Sequence, residues 1–298
     1  MQRRTMWAWL VVVLLAMLAV AQAQEDYLDV FMVQVRPEKR AEFDAITKKM
    51  VAANRQSGDN WLAMETVYGQ GNRVTFISTR KTYGDIETAT GLFYSAMEKT
   101  YGKAAAEKLL ADFSQCLISS RSEIRRRRWD LSANGPSDAA AYARLIGGTR
   151  WLRTTAVHVK PGQNNTFEAI LKDLKAAREK SNPPQLMLVS QAVAGQEGTV
   201  YYVTNLQSSL GGFDGMASVS ELLGADGYDK FLKASAESVV STEAVINHMV
   251  PELSNPIKEI VAAAPDYWTP KPVVAHAKPG AKSGVVPAKE TTKMEDKK

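Results

Sequence analysis

The stretch Val33-Gln34-Val35-Arg36-Pro37, leading into Phe43, Ile46 and Met50, is written a second time as Val157-His158-Val159-Lys160-Pro161, leading into Phe167, Ile170 and Leu174. From 37 to 161, from 43 to 167 and from 46 to 170 the step is always 124 residues, so the match is a register and not a compositional accident. A tandem duplication of this kind predicts two like units. Any surface that one unit leaves bare, the other can cover.

Each copy opens on a strand. Val33 and Val35 alternate with Gln34, and Val157 and Val159 with His158, the period of two expected of a strand with one buried face. The proline that follows suits the first turn of a helix, where its missing N–H costs nothing. Phe43, Ile46, Met50 and Ala53, and then Phe167, Ile170, Leu174 and Ala177, recur at helical spacing and give each helix an apolar stripe. Next come a strand over about 61–68, a hairpin at Gly69-Gln70-Gly71-Asn72 and a return strand at Val74–Ser78. The second copy repeats these at 186–193, Gly195-Gln196-Glu197-Gly198 and Val200–Thr204. Helices follow at 91–99 and 104–119, with Tyr101-Gly102 as the break, and at 216–223 and 228–240. A last strand spans 123–132 in one copy and 245–254 in the other, and both end in Leu-Ser.

This order, βαββαβ, is that of a ferredoxin-like unit, with helices on one face of its sheet. The other face is too apolar to stay in water, since Val30 and Met32 stand on the face opposite Val33 and Val35. The fold class expected is therefore α+β: two tandem ferredoxin-like units whose antiparallel sheets face each other. Repeat 1 is placed at 24–132, a linker with a short helix from Asp138 to Ile146 at 133–150, and repeat 2 at 151–264.

The ends differ from the body. Arg3 and Arg4, the apolar run from Trp7 to Val20 and Ala21-Gln22-Ala23 read as a cleaved signal peptide over 1–23, which predicts a secreted or periplasmic protein with no membrane span after cleavage. Residues 265–298, rich in Pro, Lys, Ala and Thr, predict a disordered basic tail. Of 37 Lys and Arg and 32 Asp and Glu, the stretch between these ends keeps 28 of each, so the basic balance belongs to the termini and gives no reason to expect nucleic acid as a partner. Cys116 is the one cysteine, which excludes an internal disulfide and predicts a buried, inert thiol.

The element order and the repeated Val-x-Val-Arg/Lys-Pro start resemble the dimeric α+β barrel superfamily, which includes antibiotic-biosynthesis monooxygenase-like and NIPSNAP-like domains. The resemblance covers about 27–132 and 151–254. It implies a barrel, usually built from two chains and here fused into one, so that no dimer partner is expected. Members of that superfamily include cofactor-independent monooxygenases, isomerases, haem-degrading enzymes and proteins with no known reaction. Haem-binding members ligate iron through a histidine on a helix. This chain has only His158, His248 and His276, two on expected strands and one in the tail, so no haem, cofactor or metal is expected.

Superposing the copies gives a candidate site. His158 points away from the helices and corresponds to Gln34, while His248 lies on the last strand and corresponds to Arg126. Gln34, Arg126, His158 and His248 are thus expected to line the interior. His158 or His248 would be the proton-transfer group, with Gln34 and Arg126 holding a ligand oxygen. Alternate residues of Arg125–Arg128 should face opposite ways, with partners such as Asp85 or Glu87. Trp61, Trp129 and Tyr202 read as core or rim. Asn164-Asn165-Thr166 is a glycosylation sequon, and no phosphate loop or nucleophile elbow occurs. Two functions follow: a small-molecule-binding barrel without catalysis, or a cofactor-independent monooxygenase or isomerase acting on an aromatic or polyketide-like substrate. An open pocket favours the second and a packed interior the first.

Overall fold

The computed structural model describes residues 27–269. The expected signal segment and the stretch 270–298 lie outside the described residues, so the export and disorder expectations are not addressed there.

The first unit contains β1 (Tyr27–Val35), α1 (Arg40–Asn54), β2 (Leu62–Tyr68), β3 (Arg73–Arg80), α2 (Tyr83–Tyr101), α3 (Lys103–Gln115) and β4 (Leu117–Arg127). After α4 (Ala139–Gly148), the second unit supplies β5 (Trp151–Val159), α5 (Asn164–Lys180), β6 (Leu188–Ala194), β7 (Thr199–Gln207), α6 (Val219–Ser238) and β8 (Val239–Met249). The short helices α7 (Lys258–Ala263) and α8 (Pro265–Trp268) complete the described chain. The strands close into one antiparallel barrel in the order β1-β3-β2-β8-β5-β7-β6-β4. Each half runs last, first, third, second, as a ferredoxin-like sheet does, and the halves join at two seams, β2–β8 and β4–β6.

The repeated motif explains the outer layer. Val33 and Val35 are buried against Phe43, Ile46 and Met50 of α1, while Val157 and Val159 are buried against Phe167, Ile170 and Leu174 of α5. Each such side chain contributes about 1.5–3 kcal/mol on burial. Cys116 ends α3, fully buried in the first of these clusters, and burial raises its thiol pKa, as an inert thiol requires.

The shared Leu-Ser pairs close the seams. Ser132 Oγ accepts the N–H of Val189 at 2.9 Å and donates to the carbonyl of Arg128 at 2.8 Å. Ser254 Oγ does the same with Ala63 N–H and the Val250 carbonyl, both at 2.8 Å. Leu131 and Leu253, one residue earlier, are buried in the two cores. Each unit thus hands its last turn to the other.

Three boundaries differ from expectation. Strands β4 and β8 begin at Leu117 and Val239, where helix was expected to run on, because these residues pair with the ends of β1 and β5. Tertiary pairing overrides a local helical pattern. The linker helix α4 forms as expected, with Asp138 as its cap and not its first residue, but it is no mere connector. Ala143 and Ile146 pack with Leu62, Met64, Leu152, Leu206 and Met249, so α4 stoppers one end of the barrel. Finally, the packed chain continues to α8: Trp268 is buried against this stopper and its Nε1 donates to the Gly147 carbonyl at 3.1 Å. Gly147 is required there, since a Cβ would meet Ala263 Cβ at 2.5 Å.

Candidate functional site

The inward positions of the strands enclose a cavity of about 420 Å³. Its stoppered end is mostly apolar, with Leu62, Ile146, Leu152, Leu206 and Met249, and Arg127 and Tyr142 stand beside them. The opposite end is polar, and there Arg121, His158 and Gln196 also line an adjoining open groove, which makes this end the mouth.

Two of the four expected site residues line the cavity and two do not. His158 and Gln34 are at the mouth, as expected from the parity of β5 and β1. Gln34 donates to the Gly71 carbonyl at 2.7 Å, and its Oε1 is buried without a partner among the described residues. Arg126 and His248 are on the outer faces of β4 and β8. His248 pairs in register with Trp151, seven residues from inward-facing His158 and so on the opposite face, and its ring lies 4.6 Å from the Trp151 ring. Arg126 stands between Tyr27 and Gln191. The inward residues are their neighbours, Arg125, Arg127 and Asn247. Neither Asp85 nor Glu87 is the partner expected for these arginines. Asp85 closes the capping box at the start of α2, and Arg128 on the outer face pairs with Asp130 and Glu168.

The group that sequence reasoning missed is Glu123, whose side chain is fully buried on β4. Arg125 Nε donates to it at 2.8 Å, Tyr202 Oη at 2.8 Å and Gln196 Nε2 at 2.5 Å, and Arg121 Nε stands 3.1 Å away. Its oxygens are occupied by these groups, so the carboxylate organises one wall of the cavity. The Arg125 guanidinium lies over the Tyr202 ring, 3.5 Å from its centre, a cation–π contact that fixes both. Burial pushes the Tyr202 phenol up to about 12, which keeps it protonated and donating. Tyr202 and Trp129 both line the cavity, whereas Trp61 is buried outside it and donates to the Leu253 carbonyl at 2.8 Å.

The hairpin that carries Gln196 is pressed onto β4. Gly195 has φ +83°, and a Cβ there would lie 2.2 Å from the Ser122 carbonyl oxygen; its own carbonyl accepts from Arg121 Nε at 2.9 Å. The one sequence signal for this wall was a lone glutamate two residues before a run of arginines.

The residues present do not fit an iron ligand of the kind the resemblance suggests. Both described histidines stand on strands, and His276 lies outside the described residues. Among the described residues no cluster of His, Cys, Asp and Glu is arranged to hold a metal ion, and no helix is long and apolar enough to cross a membrane.

No family model matches this sequence, and a search among curated proteins finds no match. Among solved structures, an anthrone oxidase-like protein is similar at a TM-score of 0.49 and 12% identity, covering 77% of this chain and 93% of that one. A heme-binding protein from Thermus thermophilus is similar at a TM-score of 0.42 and 13% identity, covering 78% and 93%. Chlorite dismutase from Candidatus Nitrospira defluvii is similar at 0.42 and 10%, covering 78% and 94%. The chemistry of the interior is left to this chain's own side chains.

Proposed function

We propose that this chain is a small-molecule-binding barrel that admits a compact, flat organic compound through its polar mouth. The compound would lie between the Glu123–Arg125–Tyr202 wall and the apolar stoppered end. The observation that carries the reading is the cavity of about 420 Å³, open at its mouth, within the roughly 300–1,000 Å³ of ligand pockets. A barrel of this strand number that served only as a scaffold would be filled by its own side chains. The wall suits binding because its polar groups hold one another in place before a ligand arrives, so little ordering entropy is lost on association. The basic and apolar stretches of 1–23 support export, so the ligand would be one met outside the cytoplasm.

A binding screen of aromatic and quinone-like compounds, with haemin included, tests this on the exported chain. A true ligand at a hundred times its Kd raises stability by about 2.7 kcal/mol. Ala156 faces the middle of the cavity, so Ala156→Trp is expected to occupy the space, abolish binding and leave the fold intact. Compounds that bind the native chain and A156W equally would place the ligand elsewhere and sink the reading.

Two observations support a catalytic version: the cavity is open at one end, and His158 is the described histidine that lines it, at its mouth. There it would act as a base toward an acidic C–H or O–H of the bound compound. That version expects His158→Ala to bind as before while turnover of a binding compound disappears. Unchanged turnover in H158A overturns it.

A further inference from the structure

The cavity lining carries four arginines, Arg73, Arg121, Arg125 and Arg127, against two glutamates, Glu123 and Glu243. Three of the four face a carboxylate: Arg121 and Arg125 both reach Glu123, and Arg73 reaches Glu243 at 3.6 Å. Arg127 faces none among the described residues. Its Nη2 donates to Thr79 Oγ1 at 3.1 Å and to Tyr142 Oη at 2.8 Å, two neutral hydroxyls, while its Nε is buried without a partner. The guanidinium carbon lies 4.7 Å from the Tyr142 ring centre and 5.2 Å from that of Trp129. A cation is thus held by aromatic rings and hydroxyls at the stoppered end of the cavity, with its charge left uncompensated.

We infer that Arg127 determines specificity for an acidic ligand: the bound compound carries a carboxylate or comparably acidic oxygen, and it enters acid-first so that this group reaches Arg127. The inference rests on the binding reading above. A half-buried arginine that no carboxylate faces gains from an anion that accepts its hydrogen bonds, and its planar guanidinium suits a planar carboxylate. The Trp129 and Tyr142 rings then flank the ring system of an aromatic acid. Tyr142 comes from α4, so the stopper supplies part of the recognition as well as the closure.

The test uses two probes of one shape, 2-naphthoate and its neutral amide, titrated into the full exported chain and followed by calorimetry. The native protein is expected to bind the acid at least about tenfold more tightly than the amide. Arg127→Gln should bring that ratio near one while keeping affinity for the amide, and Arg127→Lys should retain part of the preference. Lys233→Gln, exposed on α6 and away from the cavity, should leave the ratio as it was. A native ratio near one, or a preference that survives in R127Q, overturns the inference and leaves the cavity reading standing. If neither probe binds the native chain, both fall. Circular dichroism of R127Q and R127K establishes that a lost preference is not a lost fold.

Discussion

The two walls of the barrel interior descend from the same repeated unit and carry opposite chemistry. On one, Glu123 and Arg125 of β4 meet Tyr202 of β7 in a buried charged network. On the other, the corresponding positions, 122 residues on, are Val245 and Asn247 of β8. Tyr202 stands opposite Ala156, and its counterpart Thr75 stands opposite Met32. There the buried network shrinks to one neutral hydrogen bond, Thr66 Oγ1 to Asn247 Oδ1, at 2.8 Å, and what charge remains is a looser pair, Arg73 with Glu243 at 3.6 Å. The helix-facing positions stayed alike because each must fill the same gap under α1 or α5. The inward positions were free to diverge, since a cavity tolerates any set of side chains that satisfy one another. One site, on one wall, is the result.

The largest expected effect separates the walls directly. Glu123→Leu leaves the Arg125 side chain, only 10% exposed, without its carboxylate and should cost about 3–5 kcal/mol in urea unfolding. On the β8 wall Asn247→Leu removes one hydrogen bond and should cost about 1–2 kcal/mol. Equal costs would mean that the charged network does not distinguish the walls. The double variant Glu123→Leu with Arg125→Met should fall within about 1–2 kcal/mol of the native chain, because removing both charges leaves neither stranded.

The seams give a second contrast, between outer faces. At β4–β6, Arg128 of the first unit reaches Glu168 of the second at 2.5 Å and Gln191 at 3.0 Å. At β2–β8 the corresponding acids, Asp44 and Glu65, are both bonded to Arg40 of their own unit. Hydrogen bonds from Arg128 hold the Glu168 and Asp130 carboxyls below the usual range. Groups with depressed folded values contribute stability that is complete above the ordinary glutamate value of 4.5 and is lost as pH falls through the folded values. Arg128→Met should therefore cost about 1–2 kcal/mol at pH 7, allowing for solvent screening, and almost nothing near pH 2. Chemical denaturation at the two pH values checks it; a cost independent of pH would assign Arg128 a packing role alone.

The smallest effect concerns what the halves share. Ser132→Ala and Ser254→Ala each remove the same two hydrogen bonds and should each cost about 1–2 kcal/mol, alike within the precision of unfolding curves. A marked difference would show that the seams are less equivalent than their geometry.

The inner wall was only half legible in the chain. Parity along β1 and β5 was readable because Val33, Val35, Val157 and Val159 mark the helix-facing side, which turned Gln34 and His158 inward correctly. Along β4 both alternating sets are mostly charged: Glu123, Arg125 and Arg127 on one face, Arg126 and Arg128 beside a lone Ile124 on the other. On β8 both sets are mixed. With only Ile124 as an apolar marker, matching Arg126 to His248 between the copies gave a consistent answer and the wrong face.

The sequence by itself determined the two units, their strand and helix order, the helix-facing cores and the closure of two sheets on each other, because these depend on periodicities within a few turns of chain. Tertiary structure alone decided which face of β4 and β8 looks inward. That choice is a register between segments some ninety residues apart, and a shift of one residue turns every side chain over. Once formed, the register is continuous from Tyr27–Arg126 to Gln34–Ser119 and from Trp151–His248 to His158–Ser241, with bulges only beyond, at Val35 and Val159. Only the closed barrel then brought Tyr202 and Gln196 to Glu123, and α4 to Arg127.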